Sequence, residues 1–104
     1  MIVEIVSFDL PPGTTREDAL ALYRKTAATW LVNKDLLEKY YVFDAEKQRG
    51  GGIYIWPTRE TAQHWHGEDY RRMVQSLYGA PPKIRLIDAV MRVDPRNGRV
   101  EELL

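Results

Sequence analysis

Cysteine is absent from this chain of 104 residues, which excludes disulfides, thiolate catalysis and cysteine-held metal sites together. A charge imbalance is absent too. Fifteen basic residues meet fifteen acidic ones, so no net field favours nucleic acid or an anionic membrane as partner. Histidine occurs twice only, as His64 and His66. Two residues apart on a helix they diverge, and no further histidine exists to complete a metal site. No stretch approaches the roughly 20 apolar residues a membrane span needs. The start, Met1-Ile2-Val3-Glu4-Ile5-Val6, has no basic region and no signal-length apolar run, so a cytoplasmic protein is expected. Linkers, repeats and low-complexity tracts are missing, and residues 1–104 read as one domain.

What is present is patterning. Ile2 to Phe8 reads as a strand, ended by Asp9-Leu10-Pro11-Pro12-Gly13. Thr14 and Thr15 are N-cap candidates, with Glu17 and Asp18 at capping-box spacing. Leu20, Tyr23, Ala27 and Trp30 then form one helical stripe. Leu36 to Asp44 reads as a second strand and Ala45 to Gly52 as a polar, glycine-rich connection. The third strand is Ile53-Tyr54-Ile55-Trp56, entered directly from Gly50-Gly51-Gly52, where the backbone can turn or bulge as no side chain allows. Thr58 caps a second helix, Arg59 to Tyr78, which Gly67 kinks or splits. Ile84 to Val93 is the last long strand, and Val100 to Leu104 a short tail. The order β-α-β-β-α-β predicts an α+β, ferredoxin-like fold: a four-stranded antiparallel sheet with two helices on one face.

The other face of such a sheet should be polar in a monomer. Here both faces are apolar: Val3 and Ile5 oppose Ile2, Val6 and Phe8, and Ile53 and Ile55 oppose Tyr54 and Trp56. Ile84, Leu86 and Val90 likewise oppose Ile87, Ala89, Met91 and Val93. That area exceeds what monomers tolerate, so a homodimer packed face to face is expected. A tail folded over the open face would cover too little of it.

With these elements in place, the chain resembles the dimeric α+β barrel superfamily and, within it, the small YdhR-like proteins assigned as monooxygenases. The segments that carry the resemblance are Met1 to Val6, Leu10-Pro11-Pro12-Gly13-Thr14-Thr15, Lys39 to Asp44 and Gly51 to Trp56. Arg59-Glu60-Thr61-Ala62, Tyr78-Gly79-Ala80-Pro81-Pro82 and Val93-Asp94 complete it. The glycine run entering the aromatic strand is its most specific element. The resemblance implies a dimeric barrel with a pocket between each sheet and its helices. It also implies a cofactor-independent oxygenation of a small aromatic such as a phenol or hydroquinone. Related branches imply alternatives: an isomerase or a haem-handling protein. A non-catalytic, small-molecule-binding dimer is the rival reading.

Candidate site residues follow from position. A continuous second helix puts Ala62, Trp65, His66, Asp69 and Met73 on one face, making His66 the inward base and Asp69 its partner. A break at Gly67 puts both histidines on a wet surface beside Trp65, and from sequence alone this second placement weighs more. Tyr54 and Tyr41 are candidate hydrogen-bonding catalytic groups, while Trp30, Trp56, Trp65, Tyr23 and Met73 are candidate substrate walls. For each ring taken singly, plain core packing is the commoner explanation. Asp88 interrupts the last strand and, if buried, needs a cation from Arg71, Arg72, Arg85 or Arg92. No metal or cofactor is expected, and the glycine run is no phosphate loop.

Overall fold

The computed structural model describes residues 1–103. Strand β1 (Ile2–Asp9) is central, with β3 (Arg49–Trp56) on one side and β4 (Lys83–Asp88) on the other. Strand β2 (Glu38–Asp44) flanks β3, giving the antiparallel order β2-β3-β1-β4. Helix α1 (Arg16–Leu31) starts with the expected capping box: Asp18 N–H donates to Thr15 Oγ1 at 3.1 Å and Thr15 N–H to Asp18 Oδ2 at 3.0 Å. The second helix is split, as Gly67 suggested, into α2 (Arg59–Trp65) and α3 (Glu68–Tyr78). The ferredoxin-like arrangement is therefore observed, with its core between helices and sheet.

Alternation sorts the strands cleanly. Ile2, Glu4, Val6 and Phe8 are buried, as are Tyr54 and Trp56, while Lys39, Tyr41, Phe43, Ile84 and Leu86 are partly covered on the same inner face. Ile5, Tyr40, Val42 and Ile87 are exposed on the open one. Leu36 and Leu37 precede β2 and do not belong to it; Leu36 packs on the core and Leu37 faces solvent.

The glycine run is not part of the β2–β3 connection, as expected above, but lies within β3. The turn is confined to Ala45–Gln48, with Gln48 in left-handed backbone (φ 51°). Its physical reason is Tyr23. The Tyr23 hydroxyl is inserted into the β2–β3 ladder, accepting from Gly51 N–H at 3.2 Å and donating to Val42 C=O at 2.7 Å. A Cβ on Gly50 would lie 2.5 Å from that hydroxyl, and one on Gly51 2.0 Å from the Val6 carbonyl oxygen. Glycine is required here by close approach, not by a reversal.

The expected strand Ile84 to Val93 is two. Strand β4 stops at Asp88 because β1, its one neighbour among the described residues, runs out: Asp88 pairs with Ile2, and Ala89 N–H makes a last bond to Met1 C=O at 2.9 Å. Asp88 is thus exposed at a strand end, 3.8 Å from Arg59, and is not a buried carboxylate. Beyond it β5 (Met91–Asp94) pairs with β6 (Arg99–Glu102), so the tail is a hairpin arm; Leu104 lies outside the described residues. Val90, Met91, Val93 and Val100 on this arm are all exposed.

Candidate functional site

Glu4 stands in the apolar file of β1, directly between Tyr54 of β3 and Leu86 of β4, and is fully buried. A carboxylate in such a place requires donors, because an uncompensated buried charge costs several kcal/mol. Trp56 Nε1–H donates to Glu4 Oε1 at 2.8 Å. His66 Nδ1 lies 2.6 Å from the same oxygen, an ion-pair distance reached off the line of a well-directed hydrogen bond. Among the described residues Glu4 Oε2 and His66 Nε2 have no hydrogen-bond partner.

His66 reaches this position as the C-cap of α2. Its N–H closes the last turn onto Ala62 C=O at 3.0 Å, and its backbone (φ −115°, ψ 42°) leaves the helical path before extended Gly67 starts α3. The helix breaks where expected, yet the imidazole turns inward, against the surface placement. It is 6 % exposed, stacked on Tyr70 (centroids 3.7 Å apart) and edge-on to Trp30, Tyr54 and Trp56. Burial holds its pKa below the ordinary value; Glu4 opposes that shift, while Lys39 and Arg71 add to it. The imidazole is accordingly neutral at pH 7, with Nε2 free to accept a proton.

The other expected site residues divide. Trp30 and Trp56 join the His66 cluster, with Trp30 edge-on to Tyr54 at 5.2 Å. Tyr54 joins it as well, but its hydroxyl is bonded to Tyr70 Oη at 3.1 Å, and burial raises both phenols far above their usual range. Tyr41 is apart from His66: its hydroxyl pairs with Thr26 Oγ1 at 2.6 Å. Tyr23 is held in the ladder, its one donor hydrogen spent on Val42 C=O. Met73 packs on the core. Trp65 points outward, half-exposed, with Nε1 donating to Asp35 Oδ2 at 3.0 Å, so it walls no inner pocket. Asp69 is also exposed and bonds Arg72 at 3.3 Å; the partner of His66 is Glu4 instead.

Two residues escaped the sequence reading. Glu4 and Lys39 are charges of opposite sign in the inward phase of their strands, a signal that strict alternation would have exposed. Lys39 Nζ lies over the rings of Tyr41 (3.8 Å), Tyr54 (4.3 Å) and Trp30 (4.6 Å). Burial lowers its pKa to about 7, against an opposing pull from Glu4.

Two cavities flank the cluster. One, about 220 Å³, is lined by Glu4, Gln63, His66, Arg71, Ile84 and Leu86 together with Ala62. The other, about 280 Å³, lies between α1 and β2, and Trp30, Leu36, Lys39 and Tyr41 are in its wall. Among the described residues no cluster of three His, Asp or Glu side chains is placed to hold a metal ion. No helix among them is long and apolar enough to cross a membrane.

Fold and site together define a ferredoxin-like α+β protein with a buried imidazole–carboxylate pair. Three solved structures share this fold, and two of them bear the same name. An antibiotic biosynthesis monooxygenase matches at 22% identity and TM-score 0.64, over 86% of this chain and 99% of that one. A candidate antibiotic biosynthesis monooxygenase from Bordetella bronchiseptica matches at 19% identity and TM-score 0.65, over 86% and 96%. Rv0793 from Mycobacterium tuberculosis matches at 13% identity and TM-score 0.64, over 90% and 100%. The chain therefore has the fold of the antibiotic biosynthesis monooxygenases, as the resemblance implied. No family model matches the sequence, and no curated protein is significantly similar to it.

Proposed function

We propose that this protein is a cofactor-independent monooxygenase that oxidises a small phenol or hydroquinone at His66. The observation that carries this reading is the buried His66–Glu4 contact of 2.6 Å in the wall of a cavity large enough for one aromatic ring. A merely binding pocket has no need of a neutral imidazole with a free nitrogen and a carboxylate behind it. The fold shared with named monooxygenases supports the same chemistry, and the glycine run entering Ile53–Trp56 supports a YdhR-like placement within it.

In this reaction Nε2 takes the phenolic proton, Glu4 steadies the imidazolium that forms, and Arg71 faces the developing oxyanion. The electron-rich phenolate passes an electron to O₂. The radical pair collapses to a carbon-bound hydroperoxide, and loss of water leaves a quinone. One oxygen atom enters the product and the other leaves as water, so no external reductant is consumed.

The reading includes a homodimer. Ile5, Tyr40, Val42 and Ile87 on the open sheet face, with Val93 and Val100 on the arm, form apolar surface that a second copy would bury.

Oxygen uptake with a panel of phenols and hydroquinones tests the chemistry. Wild-type protein should consume one O₂ per quinone, and His66→Gln should be slower by about 10²–10⁴, the range for loss of a general base. The acid limb of kcat/KM should lie below the unperturbed imidazole value of about 6.5. Uptake equal to buffer across the panel, or a fully active His66→Gln, would overturn the reading.

A further inference from the structure

The cavity between α1 and β2 is separate from the one bounded by Glu4, His66 and Arg71, and the chemistry above makes no use of it. Its polar wall residues are Asn33, Glu38, Lys39 and Tyr41, and the cation among them is Lys39. The ammonium rests among three ring faces, which attract a cation but leave its N–H donors without directional acceptors. Among the described residues Nζ has neither a hydrogen-bond acceptor nor a carboxylate within salt-bridge reach. Glu38, in the same wall, is turned to Tyr40, whose hydroxyl donates to its Oε1.

We propose that this cavity is a second small-molecule site, taking a single-ring aromatic anion whose carboxylate or phenolate oxygen is held by Lys39. Ligand cavities run from roughly 300 to 1,000 Å³, and 280 Å³, just under that range, limits the occupant to one ring with one anionic substituent. The ring packs against Trp30 and the leucines of the wall, and the anionic oxygens supply the acceptors that Nζ lacks. A neutral isostere gains the packing alone. A cationic one meets repulsion from Lys39.

Binding is then linked to protons. The titratable groups around Nζ are Tyr41 on its own strand, Tyr54 on β3, Glu4 on β1 and His66 at the end of α2. Of these, Glu4 acts to keep the ammonium charged, while burial acts to discharge it at about pH 7. An anion captures the charged form, so its affinity is greatest below pH 7 and declines as the free amine loses its proton.

Calorimetric titration with benzoate, benzamide and benzylamine tests this. At pH 6 benzoate should bind at least about 10-fold tighter than benzamide, with benzylamine weakest. Its affinity should fall about 50-fold between pH 7 and pH 9, and at pH 8 binding should take up close to one proton, read from buffers of different ionisation enthalpy. Lys39→Met should abolish the preference for benzoate over benzamide, and Lys39→Arg should keep it while removing the pH dependence. His66→Gln should leave benzoate binding unchanged, so this site and the oxygenase reading stand or fall separately. The indole N–H resonance of Trp30 should shift on titration and that of Trp56 should not. Equal affinity for benzoate and benzamide, or undiminished preference in Lys39→Met that retains the wild-type near-ultraviolet dichroism, would overturn the proposal.

Discussion

The inner face of the sheet has two ends that use the same residue types for opposite purposes. At the glycine-run end, Tyr23 is bonded to Gly51 and Val42 backbone, Tyr41 to Thr26, and Phe8 stacks on Tyr78 at 4.1 Å. At the other end, Tyr54, Trp56, Trp30 and Tyr70 enclose Glu4, His66 and Lys39, each of which keeps a polar atom without a directional partner. The difference separates architecture from site. Hydroxyls that saturate backbone groups hold strands in register. Titratable groups packed among rings and left short of partners carry a free-energy cost that a ligand can relieve.

The comparison breaks most decisively at Gly51. Its Cβ would press on the Val6 carbonyl oxygen, so Gly51→Ala must push β1 from β3. A loss of roughly 3 kcal/mol is expected, or about 12–24 °C in Tm for a domain of this size. Thermal denaturation checks it, and a change below 2 °C would remove the close-approach account of the glycine run.

Next in size is Tyr23→Phe, which strips out the hydroxyl that links Gly51 N–H to Val42 C=O. A loss of about 1–3 kcal/mol in urea unfolding is expected, with oxygen uptake per folded molecule retained. A Tyr23→Phe protein of full stability but altered activity would erase the division between the two ends.

The smallest effect sharpens the site end. Lys39 has a folded pKa of about 7, against about 10.4 in an unfolded chain. Between those values the unfolded state binds more protons, so the lysine's contribution to stability rises with pH across that window and is poorest at and below pH 7. Lys39→Met is therefore expected to be more stable than wild type by about 5 °C at pH 6–7. That advantage should shrink toward pH 10. A constant difference between the two proteins at every pH would show that the amine titrates normally.

Much of this fold is legible in the sequence. The Thr15–Asp18 capping box, the break at Gly67 and the alternation along β1 and β3 are local, and short-range geometry decides them. The site was legible only in part. The inward His66 was one of two placements the sequence allowed and the one given less weight, since a C-cap residue follows neither the helical nor the extended period. Trp65 and Asp69 were misplaced by extending helical periodicity through that same break. Lys39 and Glu4 were overlooked although their inward phase was already fixed by Tyr41 and by Val6.

By itself the sequence determined the element order, the helix caps, and a sheet apolar on both sides, because these depend on neighbours a few residues apart. Tertiary structure alone decided that Tyr23 would enter a ladder 28 residues away in the chain, at Gly51. It also decided that β4 would end where β1 runs out, and that Glu4 would meet His66 across the core. Such pairings arise from the packing of helices on the sheet. No periodicity along the chain encodes which buried groups will face each other there.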